Sequence, residues 1–129
     1  MPAAATVQKL IDAVEAGDFL GAIRDFYADG ASMQENNDAP RVGVPALLEN
    51  EQRVMTVFKT ITGKSLGAPL VAGDRVAINW VFDFVRPDGS VAHLEEIAWQ
   101  RWEGEKVKEE RFFYDRAQLA AATPAAVPA

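Results

Sequence analysis

The sequence predicts an α+β fold, with helices in the first half of the chain and antiparallel strands in the second. Over residues 6–61 the apolar side chains recur every three or four positions, and from residue 65 onward they alternate. The first spacing is typical of amphipathic helices and the second of half-buried strands. We therefore expect helices packed on one face of a meander, with a pocket where the twisted sheet curls away from them.

Three helices are predicted from their apolar stripes and their end signals. Thr6 and Asp18 are typical N-cap residues. Gly17 is typical of a helix end, and Pro45 suits a first helical turn. The predicted helices run from Thr6 to Gly17, from Asp18 to Tyr27 and from Pro45 toward Ile61, with a short strand over residues 31–35.

The second half of the chain shows the alternation of strands. A weak strand, Ser65 to Val71, is interrupted by glycine and proline and is therefore expected at a sheet edge. The clearest strand runs from Arg75 to Arg86, and Pro87-Asp88-Gly89 forms a strong turn after it. Residues 95–115 then form a hairpin that turns at residues 103–105.

Composition limits the possible functions. The 129 residues suit a single domain, which we place at residues 1–119, followed by a low-complexity Ala/Pro tail at residues 120–129. The net charge of −6 argues against nucleic-acid binding, which needs clustered Lys and Arg. The lack of cysteine excludes thiolate chemistry. Without a signal-peptide pattern or a membrane-length apolar run, the protein is expected to be cytoplasmic and to have no membrane partner.

At three places the sequence resembles the nuclear transport factor 2-like superfamily. The segments are "EAGDFLGAIRDFYADGASMQEN" (15–36), "RVGVPALLE" (41–49) and "WEGEKVKEERFFYD" (102–115). The SnoaL-like branch is the most similar, with ketosteroid isomerase and limonene-epoxide hydrolase as catalytic relatives. The resemblance covers residues 6–119 and implies a cone-shaped α+β barrel, in which three N-terminal helices pack on a strongly curved, mostly antiparallel sheet that encloses a pocket. Because this fold hosts isomerases, cyclases, hydrolases and binding domains, it does not by itself assign an activity.

The resemblance also assigns the two faces of the hairpin. A three-residue turn at residues 103–105 would pair Ala98 with Glu110 and keep both faces consistent. The pocket face would carry Ala98, Gln100, Trp102, Glu110, Phe112 and Tyr114, and the outer face Ile97, Trp99, Arg101, Arg111 and Phe113. The outer face should join two copies of the chain in an isologous homodimer, because it holds more apolar area than a monomer usually leaves in water. The residues expected in that contact are Val81, Ile97, Trp99 and Phe113.

Glu35 is the candidate catalytic residue, because the resemblance places it where ketosteroid isomerase keeps its general base. Among Trp80, Phe82 and Phe112 its carboxylate would be partly desolvated, which raises a carboxyl pKa and makes the group a usable base near neutrality. No Lys or Arg is expected on the pocket side. Two other interpretations stay open: Glu35 lies in solvent at the edge of a loop, or it forms an ion pair with Arg41.

The other catalytic positions of these relatives do not match. The isomerase needs a Tyr and a protonated Asp to stabilise an oxyanion, and the resemblance aligns them with Leu10 and Ala98. The Asp-Arg-Asp set of the hydrolase falls on Trp80, Phe82 and Phe112. The sequence therefore argues against both of those particular reactions.

Two functions stay open. The first is a small-molecule-binding, cofactor-independent isomerase or cyclase that uses a pocket carboxylate as general acid/base on a neutral carbonyl-bearing or polycyclic substrate. The second is a non-catalytic ligand-binding or accessory dimerisation domain. Acidic side chains without a facing cation favour a neutral apolar ligand. With His93 as the single histidine, no histidine-rich metal site is expected, and no cofactor is implied. The candidate substrate-binding residues are Met33, Trp80, Phe82, Glu96, Ala98, Gln100, Glu110, Phe112 and Tyr114.

Overall fold

The computed structural model describes residues 1–120 and 123–124, and it has the α+β fold predicted from the sequence. The helices are α1 (Ala4–Glu15), α2 (Phe19–Phe26), α3 (Val44–Val57) and the short α4 (Ala117–Ala120). The strands are β1 (Tyr27–Glu35), β2 (Arg41–Val42), β3 (Thr60–Ser65), β4 (Leu70–Ala72), β5 (Arg75–Val85), β6 (Ser90–Glu103), β7 (Lys106–Phe113) and β8 (Thr123–Pro124).

The strands form one mixed sheet that curls without closing. Its main path runs β2-β1-β7-β6-β5-β3, while β4 pairs with β5 and β8 pairs with β6. β1 runs parallel to β7, and the other pairs among the described residues are antiparallel. The predicted, mostly antiparallel sheet is therefore confirmed, and α1, α2 and α3 cover its inner face.

The junction between α1 and α2 forms as predicted. Gly17 has a φ of +80°, the left-handed conformation that glycine adopts most easily, and its N donates to Val14 O at 3.0 Å. Asp18 is the N-cap of α2, and its Oδ1 accepts from Gly21 N at 3.1 Å. A Cβ at Gly21 would lie 2.1 Å from Asp18 Oδ2, so a larger residue there would displace the cap.

Thr6 does not cap α1, which corrects the sequence-based expectation. The helix begins at Ala4, and its N-cap Ala3 has no side chain that could accept a hydrogen bond. Glu105, in the turn between β6 and β7, takes this role from a distant part of the chain. Its two carboxylate oxygens accept from Ala3 N at 3.0 and 2.9 Å, and Thr6 Oγ1 donates to Oε1 at 3.1 Å. A carboxylate there satisfies free N–H groups and lies at the positive end of the helix dipole.

The segment between α2 and β5 also differs from the prediction. α2 ends at Phe26 and β1 begins at once, and α3 ends at Val57 short of Ile61. The predicted strand Ser65–Val71 is wrong as a single strand, because β3 ends at Ser65 and β4 begins only at Leu70. The β-branched residues 60–62 favour the extended backbone of β3. Gly67, with a φ of +74°, interrupts the extended conformation between β3 and β4.

The turn between β6 and β7 has two residues, not the three that were predicted. Glu103 lies opposite Lys106, and Gly104 adopts a φ of +58° in the turn. The register then shifts between Arg101 and Trp102, so that one extra residue of β7 restores the alternation. As a result Ala98 lies opposite Phe112 and Glu110 lies opposite Gln100.

The predicted faces of the hairpin are confirmed. The two-residue turn alone would exchange the inner and outer faces of β7, but the extra residue at the bulge shifts the pairing by one and restores them. Trp102 and Ala98 are fully buried on the inner face, whereas Ile97, Trp99 and Phe113 are 40%, 43% and 43% exposed on the outer face. The predicted tail at residues 120–129 lies mostly outside the described residues, except that β8 pairs with the start of β6. Within the part of the chain that the structure describes, no helix has the length and apolar character needed to cross a membrane.

Candidate functional site

A cavity of about 270 Å³ lies between the three long helices and the inner face of the sheet. One wall is a row of aromatic rings on β5. The ring centroids of Trp80 and Phe82 are 5.6 Å apart, those of Phe82 and Phe84 are 5.9 Å apart, and Phe58 packs on Phe84 at 4.9 Å. Such a surface favours an apolar or aromatic ligand.

The sheet register brings three predicted carboxylates to the same cavity. Glu35 lies beside Phe112 on the parallel neighbour β7, and Phe112 in turn lies opposite Ala98. Glu96 is two residues from Ala98 along β6 and therefore points to the same face. Glu110 is two residues from Phe112 along β7, so it shares that face as well.

Most of the predicted site residues line the cavity, and one does not. Ala98 faces inward but is fully buried beneath the wall, so it is not available to a ligand. The predicted residues that do line the cavity are Met33, Glu35, Trp80, Phe82, Glu96, Gln100, Glu110, Phe112 and Tyr114.

Glu35 is held by two side chains at the rim of the cavity. Tyr114 OH donates to Glu35 Oε1 at 2.8 Å, and Arg41 Nη1 donates to Oε2 at 3.0 Å. The side chain of Glu35 is 35% exposed, and Arg41 lines the cavity beside it. The expectation that no cation faces the pocket was therefore wrong, because β2 folds back against β1 and carries Arg41 with it. Burial, followed by the hydrogen bond to Glu35, raises the pKa of Tyr114.

Glu96 is buried more deeply in the cavity than Glu35. It is 8% exposed, and no hydrogen bond among the described residues involves its side chain. Burial raises the pKa of Glu96 to about 8, and the negative charges of Glu110, Glu35 and Glu51 contribute in the same direction. At neutral pH its carboxyl group is therefore mostly protonated and can donate a hydrogen bond into the cavity.

Glu110 is also buried, but it is part of a hydrogen-bond network. Trp102 Nε1 donates to Gln100 Oε1 at 2.9 Å, which turns the amide nitrogen of Gln100 toward Glu110 Oε2 at 2.6 Å. Tyr27 OH donates to the other oxygen of Glu110. Burial raises the pKa of Glu110 to about 7, even though the hydrogen bonds from Tyr27 and Gln100 favour its charged form. Burial, followed by the charge of Glu110 and the hydrogen bond to it, raises the pKa of Tyr27.

Glu51 is a fourth acidic residue in the cavity, and the sequence analysis missed it. It lies on α3, and burial followed by the charge of Glu35 raises its pKa. A sequence signal was present: Leu47, Glu51, Val54 and Phe58 follow the spacing of one helix face, and the three apolar members are buried or line the cavity. Among the described residues no group of three or more acidic, histidine or cysteine side chains is arranged to hold a metal ion.

A family model described as a SnoaL-like domain matches residues 7–110, and the chain belongs to this family. A protein from Mesorhizobium loti described as a SnoaL-like polyketide cyclase is 25% identical, with a TM-score of 0.77, over 88% of this chain and 100% of that chain. A protein from Jannaschia sp. with the same description is 17% identical, with a TM-score of 0.78, over 96% and 92%. No curated protein matches the sequence.

A third similar structure is a nuclear transport factor 2-like protein of unknown function from Burkholderia pseudomallei. It is 15% identical, with a TM-score of 0.78, over 89% of this chain and 92% of that chain. The match to the SnoaL-like family model confirms the predicted SnoaL-like branch of the nuclear transport factor 2-like superfamily.

Proposed function

We propose that this protein binds a small, neutral, largely apolar molecule that carries a carbonyl group, and acts on it by acid–base catalysis without a cofactor. The observation that carries the proposal is the buried carboxyl group of Glu96, which faces an aromatic-walled cavity and has no hydrogen-bond partner among the described residues. Membership of the SnoaL-like family, and the description of the Mesorhizobium loti structure as a polyketide cyclase, support a small organic substrate.

Glu96 would act as the acid. A protonated carboxyl group in a desolvated site donates a strong hydrogen bond to a carbonyl oxygen and stabilises the negative charge that develops there. Its pKa of about 8 keeps it protonated at pH 7. This group would supply the electrophilic assistance that Leu10 and Ala98 cannot provide.

Glu35 would act as the base. Its carboxylate would remove a proton from the carbon next to the carbonyl, and the electron pair of that C–H bond would form the enol as Glu96 gives its proton to the oxygen. In a β,γ-unsaturated ketone, Glu35 would return the proton to the γ carbon while Glu96 takes back the proton of the enol oxygen, which completes an isomerisation. If the enol carbon instead attacks a second carbonyl of the same molecule, Glu35 would give its proton to the new alkoxide oxygen while Glu96 takes back the enol proton, and a ring closes. Tyr114 and Arg41 would hold the carboxylate in position, and each of its oxygens keeps a second lone pair for the proton.

One observation favours the second candidate function, a binding domain without catalysis. Both oxygens of Glu35 already accept hydrogen bonds, one of them in an ion pair with Arg41, and such contacts stabilise the charged form that a base must give up. In that case Glu96 would serve only to recognise the ligand's carbonyl oxygen.

Deuterium exchange separates the two functions. The bicyclic ketone 2-decalone would be incubated with the protein in D₂O near pH 7, and incorporation of deuterium next to its carbonyl would be followed by mass spectrometry. An acid–base catalyst exchanges these protons faster than the same concentration of glutamate in buffer, and Glu35→Gln or Glu96→Gln should abolish the acceleration. The matched control is Glu49→Gln, which changes an exposed carboxylate on α3.

Two results would contradict the proposal in different ways. If 2-decalone raises the melting temperature but its protons exchange no faster than in buffer, the protein is a binding domain. If it neither binds nor exchanges, the proposed class of ligand is wrong.

A further inference from the structure

The cavity is bounded on one side by residues 115–120, which we call the C-terminal strap. One end of the strap is fixed by an ion pair between Arg116 and Asp38. Near its other end Arg86 Nη2 donates to the backbone O of Leu119. Between these anchors α4 lies against β6, and the side chain of Leu119 lines the cavity.

The side chain of Gln118 joins the strap to the edge of β6 by hydrogen bonds. Its Oε1 accepts from Glu95 N at 2.9 Å, and its Nε2 donates to Glu95 O at 3.1 Å. β7 pairs with β6 only as far as Ile97, so the edge of β6 at Glu95 would otherwise have an unpaired donor and acceptor. The side-chain amide of Gln118 makes the two hydrogen bonds to Glu95 that a neighbouring strand would otherwise make.

This contact fixes where Leu119 can lie. The two neighbours of Glu95 on β6 are Leu94 and Glu96, and both line the cavity. Because the side-chain amide of Gln118 both accepts from and donates to the backbone of Glu95, it holds the next residue, Leu119, at the cavity wall. Leu119 is apolar and half-buried, so it faces the apolar part of a ligand and cannot recognise a polar group.

We infer that Leu119, positioned by Gln118, limits the length of the ligand that the cavity accepts. The inference rests on the proposed function for the class of ligand, a neutral apolar molecule with one carbonyl group. With that carbonyl at Glu96, the Leu119 side chain takes up cavity volume that a longer apolar chain would otherwise fill. Gln118 is a positioning residue here, since it acts through Leu119 and does not line the cavity.

The test measures dissociation constants for straight-chain 2-alkanones, from 2-hexanone to 2-tetradecanone, by isothermal titration calorimetry. For the wild type, affinity should rise about fourfold for each buried CH₂ group up to a limiting length and then fall. In Leu119→Ala the limit should increase by about three carbon atoms, the number that the substitution removes. Gln118→Ala should also increase the limiting chain length, because Leu119 loses the residue that positions it.

Two further variants separate a specific role from general disruption. Leu119→Phe should shorten the limiting length, which loosening of the strap could not do. Leu70→Ala removes the side chain of a leucine that is 74% exposed on β4, and it should leave the limit unchanged.

The outcomes distinguish this inference from the proposed function. If ketones bind the wild type but both Leu119 variants keep the wild-type length limit, the role of Leu119 is overturned while the ligand class stands. If no ketone binds the wild type, the proposed ligand class is wrong and this inference falls with it.

Discussion

Glu96 lies directly opposite Trp80 across strands β5 and β6, and both side chains line the cavity. Side chains opposite each other in an antiparallel pair are about 5 Å apart at Cβ. Glu96 is 8% exposed at this position beside Trp80. Burial is the main cause of its pKa of about 8, the charges of Glu110, Glu35 and Glu51 act in the same direction, and the proposed acid–base role depends on this pKa.

The stability of the protein should decrease as pH rises toward 8. A folded-state pKa above the ordinary value of 4.5 means that the folded state binds this proton more tightly than the unfolded chain. The resulting stabilisation is fully present below pH 4.5, is lost progressively above it, and is gone above about pH 8. Glu110, with a pKa of about 7, acts in the same direction.

Glu96→Gln should remove most of this pH dependence between pH 6 and 8, because the amide cannot ionise. Each pKa unit corresponds to about 1.4 kcal/mol, so a pKa raised from 4.5 to about 8 should make the variant more stable than the wild type at pH 8 by roughly 4 kcal/mol. Urea unfolding at several pH values measures this difference. A variant that is less stable than the wild type at pH 8 would mean that the charged form of Glu96 is stabilised in the fold.

Glu35→Gln should have only a small effect on stability. The pair with Arg41 is partly exposed, with 35% of the Glu35 side chain and 39% of the Arg41 side chain accessible, and such pairs contribute about 0.2–1 kcal/mol. We therefore expect a loss of about 1 kcal/mol or less at pH 7 together with loss of any proton-transfer activity. Thermal unfolding beside the deuterium-exchange assay checks both. A loss of several kcal/mol would identify Glu35 as a structural residue.

The outer face of the sheet should join two copies of the chain. Ile97, Trp99 and Phe113 are each at least 40% exposed there, and the Arg111 guanidinium lies 4.5 Å from the ring centre of Phe113. Trp99→Glu should dissociate the dimer and spare the fold, because Trp99 belongs to the outer face and not to the core.

Sedimentation velocity at micromolar concentration measures this assembly. The matched control is Val42→Glu, which places a charge on an apolar residue that is 63% exposed on β2. A wild type that sediments as a monomer would refute the predicted contact.

Glu105 should stabilise α1 although it lies far away in sequence. Its carboxylate accepts hydrogen bonds from Ala3 N and from Thr6 Oγ1, so Glu105→Ala leaves the start of the helix without its acceptor. Loss of a helix cap typically costs about 0.5–2 kcal/mol. Chemical unfolding checks this cost, with Glu103→Ala in the same turn as control. Equal effects of the two substitutions would exclude a specific capping role.

The sequence carried most of the information about the fold because the pattern of apolar residues is local. Asp18 and Gly17 fix the α1–α2 junction through contacts within a few residues, and the alternation in β5 and β6 orders the inner and outer faces. The cap of α1 was missed because Glu105 and Ala3 are brought together only by the tertiary fold. The two-residue turn with its bulge was missed because parity alone cannot distinguish it from a three-residue turn.

Most residues of the candidate site were predicted from the sequence, but their hydrogen bonds and ion pairs were not. The family resemblance placed Glu110 on the cavity face, and alternation along β6 put Glu96 there as well. Nothing local in the sequence indicates that Glu110 accepts hydrogen bonds from Tyr27 and Gln100 while Glu96 accepts none among the described residues. The pairing of Glu35 with Arg41 depends on how β2 folds back on β1, which a single sequence does not specify.

The most direct test of this account is an NMR titration of the side-chain carboxyl carbons in protein labelled with ¹³C-glutamate, with Glu96→Gln used to assign the Glu96 signal. The proposed acid–base role requires Glu96 to remain protonated at neutral pH in the empty cavity. We predict a titration midpoint of about 8 for Glu96. A midpoint near the ordinary value of 4.5 would contradict the account, because Glu96 would then be ionised at pH 7 and could not donate to a carbonyl oxygen.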